Sequence, residues 1–314
     1  MNGFPLRVGV HSGQQYSTFD GLASLWSAAE AAGFDWMSLF DHVRPPLGGH
    51  DGPCLDALTS LSALAVITER VRCGLMVAAP AWRHPGQLAS AIATIDLVSC
   101  GRTELGLGVG GGDLAYQQFG IPRPVPAERY EVLDEYCAVV TGLLRQPGFD
   151  FAGRHFRVTG ARIEPRPLQR PLPLTIGATG ERKGLRLVAR WANGWNTIVC
   201  PPRVYAAKRT ALDGWCAVEG RDPASIRRSM TFRTVLSATP AATRRRRDAC
   251  RSRLGAEHPD LAEYLDADTP EELVDALGAY QELGVSDLIL ALRPPLDMET
   301  FQVVATEVLP RLRA

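Results

Sequence analysis

The chain alternates short apolar runs with longer stretches whose apolar residues recur at helical spacing. Residues 71–113 show this most clearly. The apolar run 71–78 leads to a turn framed by Pro80 and Pro85, and 86–99 then sets Leu88, Ile92, Ile95 and Val98 on one face. Cys100-Gly101-Arg102 closes that helix, and a second apolar run, 104–109, dissolves into Gly110-Gly111-Gly112. Strand, helix and strand in this order form a βαβ unit, so the two strands are expected to be parallel.

The same alternation runs along the whole chain. Strands are predicted at 6–10, 35–40, 71–78, 104–109, 174–176, 195–199, 230–236 and 287–292. Helices are predicted at 19–32, 54–69, 86–99, 128–144, 181–192, 204–218, 239–254, 268–283 and 298–312. The first helix has Leu22, Leu25, Trp26 and Ala29 on its inner stripe and stops at Gly33. Asp268-Thr269-Pro270-Glu271-Glu272 opens another with a cap, a first-turn proline and acidic residues. After His42, a glycine-rich loop is expected from Pro45-Pro46 to about Pro53. The aromatic and proline-spotted stretch 149–173 reads as a hairpin or extended insertion. Eight strands alternating with helices predict an α/β fold, a (β/α)8 TIM barrel with an insertion between the fourth and fifth units. No linker of domain scale interrupts it, so 1–314 is expected to be a single domain.

Composition narrows the function. Lys+Arg and Asp+Glu each number 34, and zero net charge argues against nucleic acid as a partner. Seven cysteines with no C-x-x-C pair suit reduced thiols in a cytoplasm. The start, MNGFPLRVGVHSG, lacks the apolar core of a signal peptide, and no run has the length of a membrane span. His42, His84, His155 and His258 stand isolated, so no metal site is expected, and there is no G-x-S-x-G elbow.

In a barrel the strand exits converge on one mouth, which makes them the places to look for chemistry. Asp41 and His42 leave the second strand; a carboxylate and an imidazole there can bind a polar heterocycle and move a proton near neutral pH. The pair also reads as a turn cap and an ordinary loop residue. Gly177-Ala178-Thr179-Gly180 runs into a helix start, where close backbone approach and free N–H groups favour phosphate, with Arg182 or Lys183 adding charge. An ordinary strand-to-helix turn uses glycine too. Gly106-Leu107-Gly108-Val109-Gly110-Gly111 satisfies G-x-G-x-x-G literally, but its first glycines fall inside the strand, and a helix start would have to fit before Pro122. A dinucleotide fingerprint is therefore rejected; small residues there let a flat ring lie against the backbone. Arg244 to Arg247 reads as a solvated helix face, and Cys54 and Cys200 as inert thiols.

Four stretches carry a family resemblance: GFDWMSLFDH (33–42), TERVRCG (68–74), RHPGQLASAIATIDLVSCGRTELGLGVG (83–110) and PLPLTIGATGERKGLRLVARWANGWN (171–196). Together they resemble the bacterial luciferase-like monooxygenase superfamily. The DH exit and GERKGLRLVARWANGWN are most similar to the branch that uses the deazaflavin coenzyme F420. The resemblance extends over nearly the whole chain, including TPEELVDAL (269–277). It implies an F420-dependent oxidoreductase that exchanges hydride with a small organic substrate at the C-terminal mouth, and a homodimer. It further implies that Asp41 and His42 sit beside the ring with His42 handling the proton, that a non-proline cis peptide falls at Met76-Val77 under the ring near Ala79 and Gly110, and that Gly177, Ala178, Thr179 and Gly180 receive the phosphate. An FMN-dependent monooxygenase of the same fold and a non-catalytic flavin or F420 binder are the alternatives. F420-dependent sugar-phosphate dehydrogenases of this fold carry a carboxylate after the fourth strand and an aromatic just beyond the DH pair. Gly111 and Arg44 stand there, which argues against sugar-phosphate oxidation and leaves the substrate open. Arg44 reads either as a contact for an anionic substrate or as a solvated loop arginine.

Overall fold

Ten short strands form in the structure, a computed structural model that describes residues 3–45, 51–111, 113–122, 124–255, 258–292 and 296–314. They are β1 (Arg7–Ser12), β2 (Trp36–Leu39), β3 (Arg72–Ala78), β4 (Thr103–Leu107), β5 (Phe149–Ala152), β6 (Arg157–Ala161), β7 (Leu174–Gly177), β8 (Gly194–Ile198), β9 (Arg227–Phe232) and β10 (Asp287–Leu292). Eight of them close into a barrel in the order β1-β10-β9-β8-β7-β4-β3-β2. Every pairing in the ring is parallel, and β1 meets β10 in continuous register from Arg7 opposite Asp287 to Ser12 opposite Leu292. The remaining two, β5 and β6, form the antiparallel hairpin expected between the fourth and fifth units.

Helices wrap the ring: α1 (Phe19–Ala32), α2 (Ala57–Ile67), α3 (Pro85–Val98), α4 (Asp113–Gln118), α5 (Arg129–Arg145), α6 (Lys183–Trp191), α7 (Pro202–Val218), α8 (Pro240–Leu254), α9 (Pro270–Glu282), α10 (Met298–Val303) and α11 (Leu309–Leu312). Their starts follow the sequence cues. Thr18 Oγ1 accepts the Gly21 N–H to cap α1, which ends at Gly33 with φ 87°. At α9, Thr269 Oγ1 accepts the Glu272 N–H while Glu272 accepts the Asp268 N–H, two orphan donors satisfied reciprocally. Trp26, Tyr136, Trp195 and Tyr205 are fully buried where helices meet the ring.

Three elements depart from expectation. The seventh strand of the ring, expected at 230–236, runs from Arg227 to Phe232. Arg227 and Arg228 enter it because each finds a carboxylate, Asp287 at 2.5 Å and Asp213 at 2.7 Å, which an apolar pattern cannot register. Beyond Phe232, Arg233 pairs with the passing 263–265 backbone instead of a barrel neighbour. A short helix, α4, does fit before Pro122, directly after the glycine-rich exit. The last helix is interrupted by a π turn over Val304–Val308. Gly112 and most of the expected glycine-rich loop, 46–50, lie outside the described residues. Among the described residues no helix is long and apolar enough to cross a membrane. The Arg244–Arg247 run is a mixed-charge face, with Arg244 and Arg247 on Asp268 at 2.7 and 2.6 Å and Arg246 on Asp297.

The barrel lumen is charged at its lower end. Arg7 from β1 reaches Asp287 of β10 at 2.8 Å and Glu104 of β4 at 2.6 Å. Arg72 of β3 also donates to Glu104 and, at 2.8 Å, to Gln169. Burial alone would raise the Glu104 carboxyl, but Arg7 and Arg72 overcome it and hold the group below the usual carboxylate range. A carboxylate depressed in this way stabilises the fold fully above its unfolded value, about 4.3, and ceases to as pH falls through the lower folded value. We expect Glu104→Ala to cost about 3–5 kcal/mol in denaturant unfolding, because Arg7 is left buried and underpaired. Melting temperature against pH should fall less steeply below about pH 4.3 in Glu104→Gln than in the wild type; parallel acid limbs would contradict this.

Candidate functional site

The strand exits named from sequence do meet on one rim. Asp41 follows β2, and its carboxylate lies only 3% exposed. Arg83, from the β3–α3 connection, donates through one Nη to both Asp41 oxygens, at 2.7 and 2.5 Å, and through the other to Asp56 at 3.0 Å. The Ala79 N–H is a further donor to Asp41. Burial pushes the Asp41 carboxyl above the ordinary range, and the Arg83 guanidinium draws it part of the way back. His42 is half-buried, with its ring edge-on to Phe40 at 5.1 Å and its carbonyl accepting from Cys54 Sγ at 3.4 Å. On the other side of Phe40, at 6.2 Å, lies His11 of β1, whose Nδ1 is 2.8 Å from Ser38 Oγ.

The Met76–Val77 peptide is cis, at the position the resemblance implied. The β3–β4 register breaks there, between Leu75 and Ala78. Val77 is thereby turned across the mouth into a saddle of glycines. A Cβ on Gly108 would come 2.5 Å from Val77 Cγ2, one on Gly106 3.1 Å and one on Gly177 3.0 Å from Val77 Cγ1. The reading that these glycines admit a flat ring directly thus acquires a second tenant: Gly108 and Gly177 first admit Val77, while at Gly106 a Cβ would first meet the Leu75 carbonyl oxygen, at 2.3 Å. Gly110 adopts φ 79° and packs on Ala79, where a Cβ would meet the Ala79 Cβ at 3.0 Å and Tyr116 Oη at 2.9 Å. Contacts therefore run without a break from Asp41 through Ala79 to Gly110, and from Val77 to Gly177.

Beyond Gly177, the Ala178 carbonyl accepts from Trp195 Nε1 at 2.9 Å, and Thr179 and Gly180 are exposed ahead of α6. Lys208, on α7, donates its ammonium to the Thr179 carbonyl. That places a cation on the loop in addition to Arg182 and Lys183, a residue the sequence reading missed because it lies 29 positions away in an otherwise unremarked helix. Also missed were Arg83 and the aromatic pair Trp82–Tyr116, stacked at 4.1 Å beside Gly110. Burial pushes the Tyr116 hydroxyl up to about 12, with Asp41 adding to the shift. Arg44 proves not to be a solvated arginine: its side chain is 11% exposed and pairs with the fully exposed Asp51 at 3.3 Å. Gly111 has open space where a Cβ would project. Burial and neighbouring carboxylates raise the Cys54 thiol to about 11, which suits an inert role.

The luciferase-like monooxygenase family model matches residues 4–289. The chain belongs to this family. Among curated relatives, the F420-dependent glucose-6-phosphate dehydrogenase of Microbacterium testaceum is 31% identical over 98% of each chain. Among solved structures, an F420-dependent secondary alcohol dehydrogenase in complex with an F420-acetone adduct superimposes with TM-score 0.85 at 17% identity, over 99% of this chain and 100% of that one. Riboflavin lyase with modified FMN and riboflavin reaches TM-score 0.85 at 18% identity, over 98% of this chain and 91% of that one. At such identities these two likenesses describe the fold alone.

The glycine saddle is open to test. Gly108→Ala drives a methyl against Val77, so we expect about 1–3 kcal/mol of lost stability and a displaced bulge in a crystal structure of the variant. Gly111→Ala, which meets nothing within 4 Å, should change stability by less than about 0.5 kcal/mol. Equal effects at both positions would mean the saddle does not hold Val77.

Proposed function

We propose that this chain is an F420-dependent oxidoreductase that passes a hydride between the deazaflavin and a small organic substrate at the C-terminal mouth of its barrel. The observation that carries the reading is the continuous rim just described: an acid–imidazole pair, a bulge seated in glycine and an open loop with a cation beside it. The M. testaceum dehydrogenase, similar over the full length, supplies the cofactor class. The mouth fits a flat ring with a phosphorylated tail. At Gly180 a Cβ would meet only Tyr130 Oη, at 3.6 Å, so the backbone there is open to close approach. Gln14 Oε1 and Trp82 Nε1 are buried with no hydrogen-bond partner among the described residues, polar atoms that a bound ring can satisfy.

When bound, F420 accepts or gives a hydride at carbon and activates oxygen poorly. His42 handles the proton that matches the hydride. Asp41 secures the wall beside the ring through Ala79 and Arg83. Met76, Val77, Ala79 and Gly110 form the surface on which the ring rests. Gly177, Ala178, Thr179 and Gly180 take the phosphate, with Lys208 as counter-charge. Glucose 6-phosphate, the substrate named for the relative, is not carried over, because Gly111 offers no carboxylate and Arg44 no aromatic face. The same reading takes 1–314 as one barrel domain working in the cytoplasm as a homodimer without nucleic acid. Seven cysteines free of disulfides support the compartment. Exposed Val66 and Ile67 at the end of α2 and Val98 at the end of α3 support a self-contact.

Titrating purified protein with F420 and, separately, with FMN tests the cofactor: submicromolar F420 binding is expected, and tight FMN binding with none of F420 would overturn it. His42→Ala should lower turnover about 10²–10⁴-fold with F420 affinity within a few-fold. An unchanged rate would remove the proton role. A protein that holds F420 tightly yet oxidises and reduces nothing across a broad panel is a binder, not an enzyme.

A further inference from the structure

Arg83 is held in place independently of the groups it contacts. Its carbonyl accepts the Tyr136 hydroxyl at 3.1 Å, and it lies immediately before His84, whose Nδ1 caps α3 by accepting the Gly86 N–H. From that fixed base its guanidinium reaches two carboxylates, Asp41 and Asp56. These two residues lie near the start and at the end of the β2–α2 connection, residues 40–56, the segment that carries His42 and Arg44. Asp56 is also the N-cap of α2, accepting the Thr59 N–H at 2.9 Å. One planar cation therefore clamps both ends of a long loop, with geometry that a fork of donors satisfies and a point charge satisfies less well.

We infer that Arg83 is a positioning residue for His42, fixing the loop that carries the imidazole by binding Asp41 and Asp56 at once. The role assigned to His42 rests on the function proposed above, whereas the clamp itself does not. Among the described residues, other groups acting on Asp41 are the Ala79 N–H, Asp56 and Cys54 from the α2 side, Tyr116 of α4 and Tyr136 of α5, and Arg83 brings the positive charge. Removing that cation leaves Asp41 buried without a counter-charge, so the carboxyl takes up a proton at a higher pH than in the wild type. The negative charge next to His42 is then lost at a higher pH than in the wild type.

Arg83→Met and Arg83→Lys test this. In the cofactor-free proteins, hydrogen exchange should show amides in 41–45 and 51–56 opening about tenfold faster in Arg83→Met, with β3 and β4 unchanged. With F420 and a reacting substrate, turnover of Arg83→Met should fall about 10²-fold through kcat more than KM, the cost of a misplaced catalytic group. The acid limb of its kcat profile should move to higher pH, and Arg83→Lys should recover part of both losses. Wild-type exchange in the loop, exchange that rises equally in β3 and β4, an unmoved acid limb, or a lysine variant no better than methionine would each overturn the clamp. If F420 is not the cofactor, F420 fails to bind the wild type as well, while the exchange comparison still decides the role of Arg83.

Discussion

Parallel strands that close on themselves must fill the space they enclose, and here a charge network does so at the bottom. Barrels of this architecture commonly stack branched apolar side chains in the lumen. This one sets Arg7 between Asp287 and Glu104, joining β1, β10 and β4 across the ring, with Arg72 and Arg227 completing the pairing from β3 and β9. A small internal cavity above it is bordered by Gly9, Trp36, Thr175 and Ser229 as well as by Arg7 and Glu104, which places all of them inside the ring. Three cations and two carboxylates largely removed from water are stable only with every partner present. The closure of β1 on β10 is thus tied to side chains whose partners lie 97 and 280 positions away.

The lumen above that floor is shaped by large groups crossing from one strand and glycines receiving them on the next. Trp36 of β2 leaves room only for glycine at position 9, where a Cβ would approach its carbonyl to 2.7 Å and its ring to 3.2 Å. At the top, Val77 occupies the space over Gly106, Gly108 and Gly177. Side chains alternate along a strand, so the same parity that sends Arg7 and Gly9 inward also sends His11 inward, beside Ser38. The mouth that results is polar and small-residued at its base, which suits a ring lying over backbone and a reacting group near two histidines separated by Phe40.

Much of this was legible in the residues. The period of the apolar runs placed seven of the eight ring strands and the second half of β9, Thr269 and the prolines marked helix starts, Gly33 marked a stop, and the proline-spotted stretch marked the hairpin. The rim residues Asp41, Gly110 and Gly177 were found because strand exits of a barrel share one end. What escaped was held by distant charge. Arg227 and Arg228 look unlike strand residues until Asp287 and Asp213 are beside them. Arg83 reads as a loop arginine until Asp41 and Asp56 converge on it, and Lys208 sits in a helix with nothing local to mark its reach to Thr179. Nothing in the sequence shows that the Arg44 side chain is covered. Periodicity reports which face is buried; it carries no information on which buried charge meets which.

That division has a consequence for how such a barrel acquires its substrate. The floor network and the glycine saddle couple strand to strand, and a change in either disturbs the ring. Gly111 and Arg44 touch neither: one projects into open space, and the other pairs with an exposed aspartate on its own loop. Positions of that kind can exchange a carboxylate for nothing, or an aromatic for a guanidinium, while the rim keeps its shape. On the proposed reading, the cofactor site is set by the barrel itself and the substrate by loops hung on it. A relative 31% identical over its full length can accordingly share the first and differ in the second.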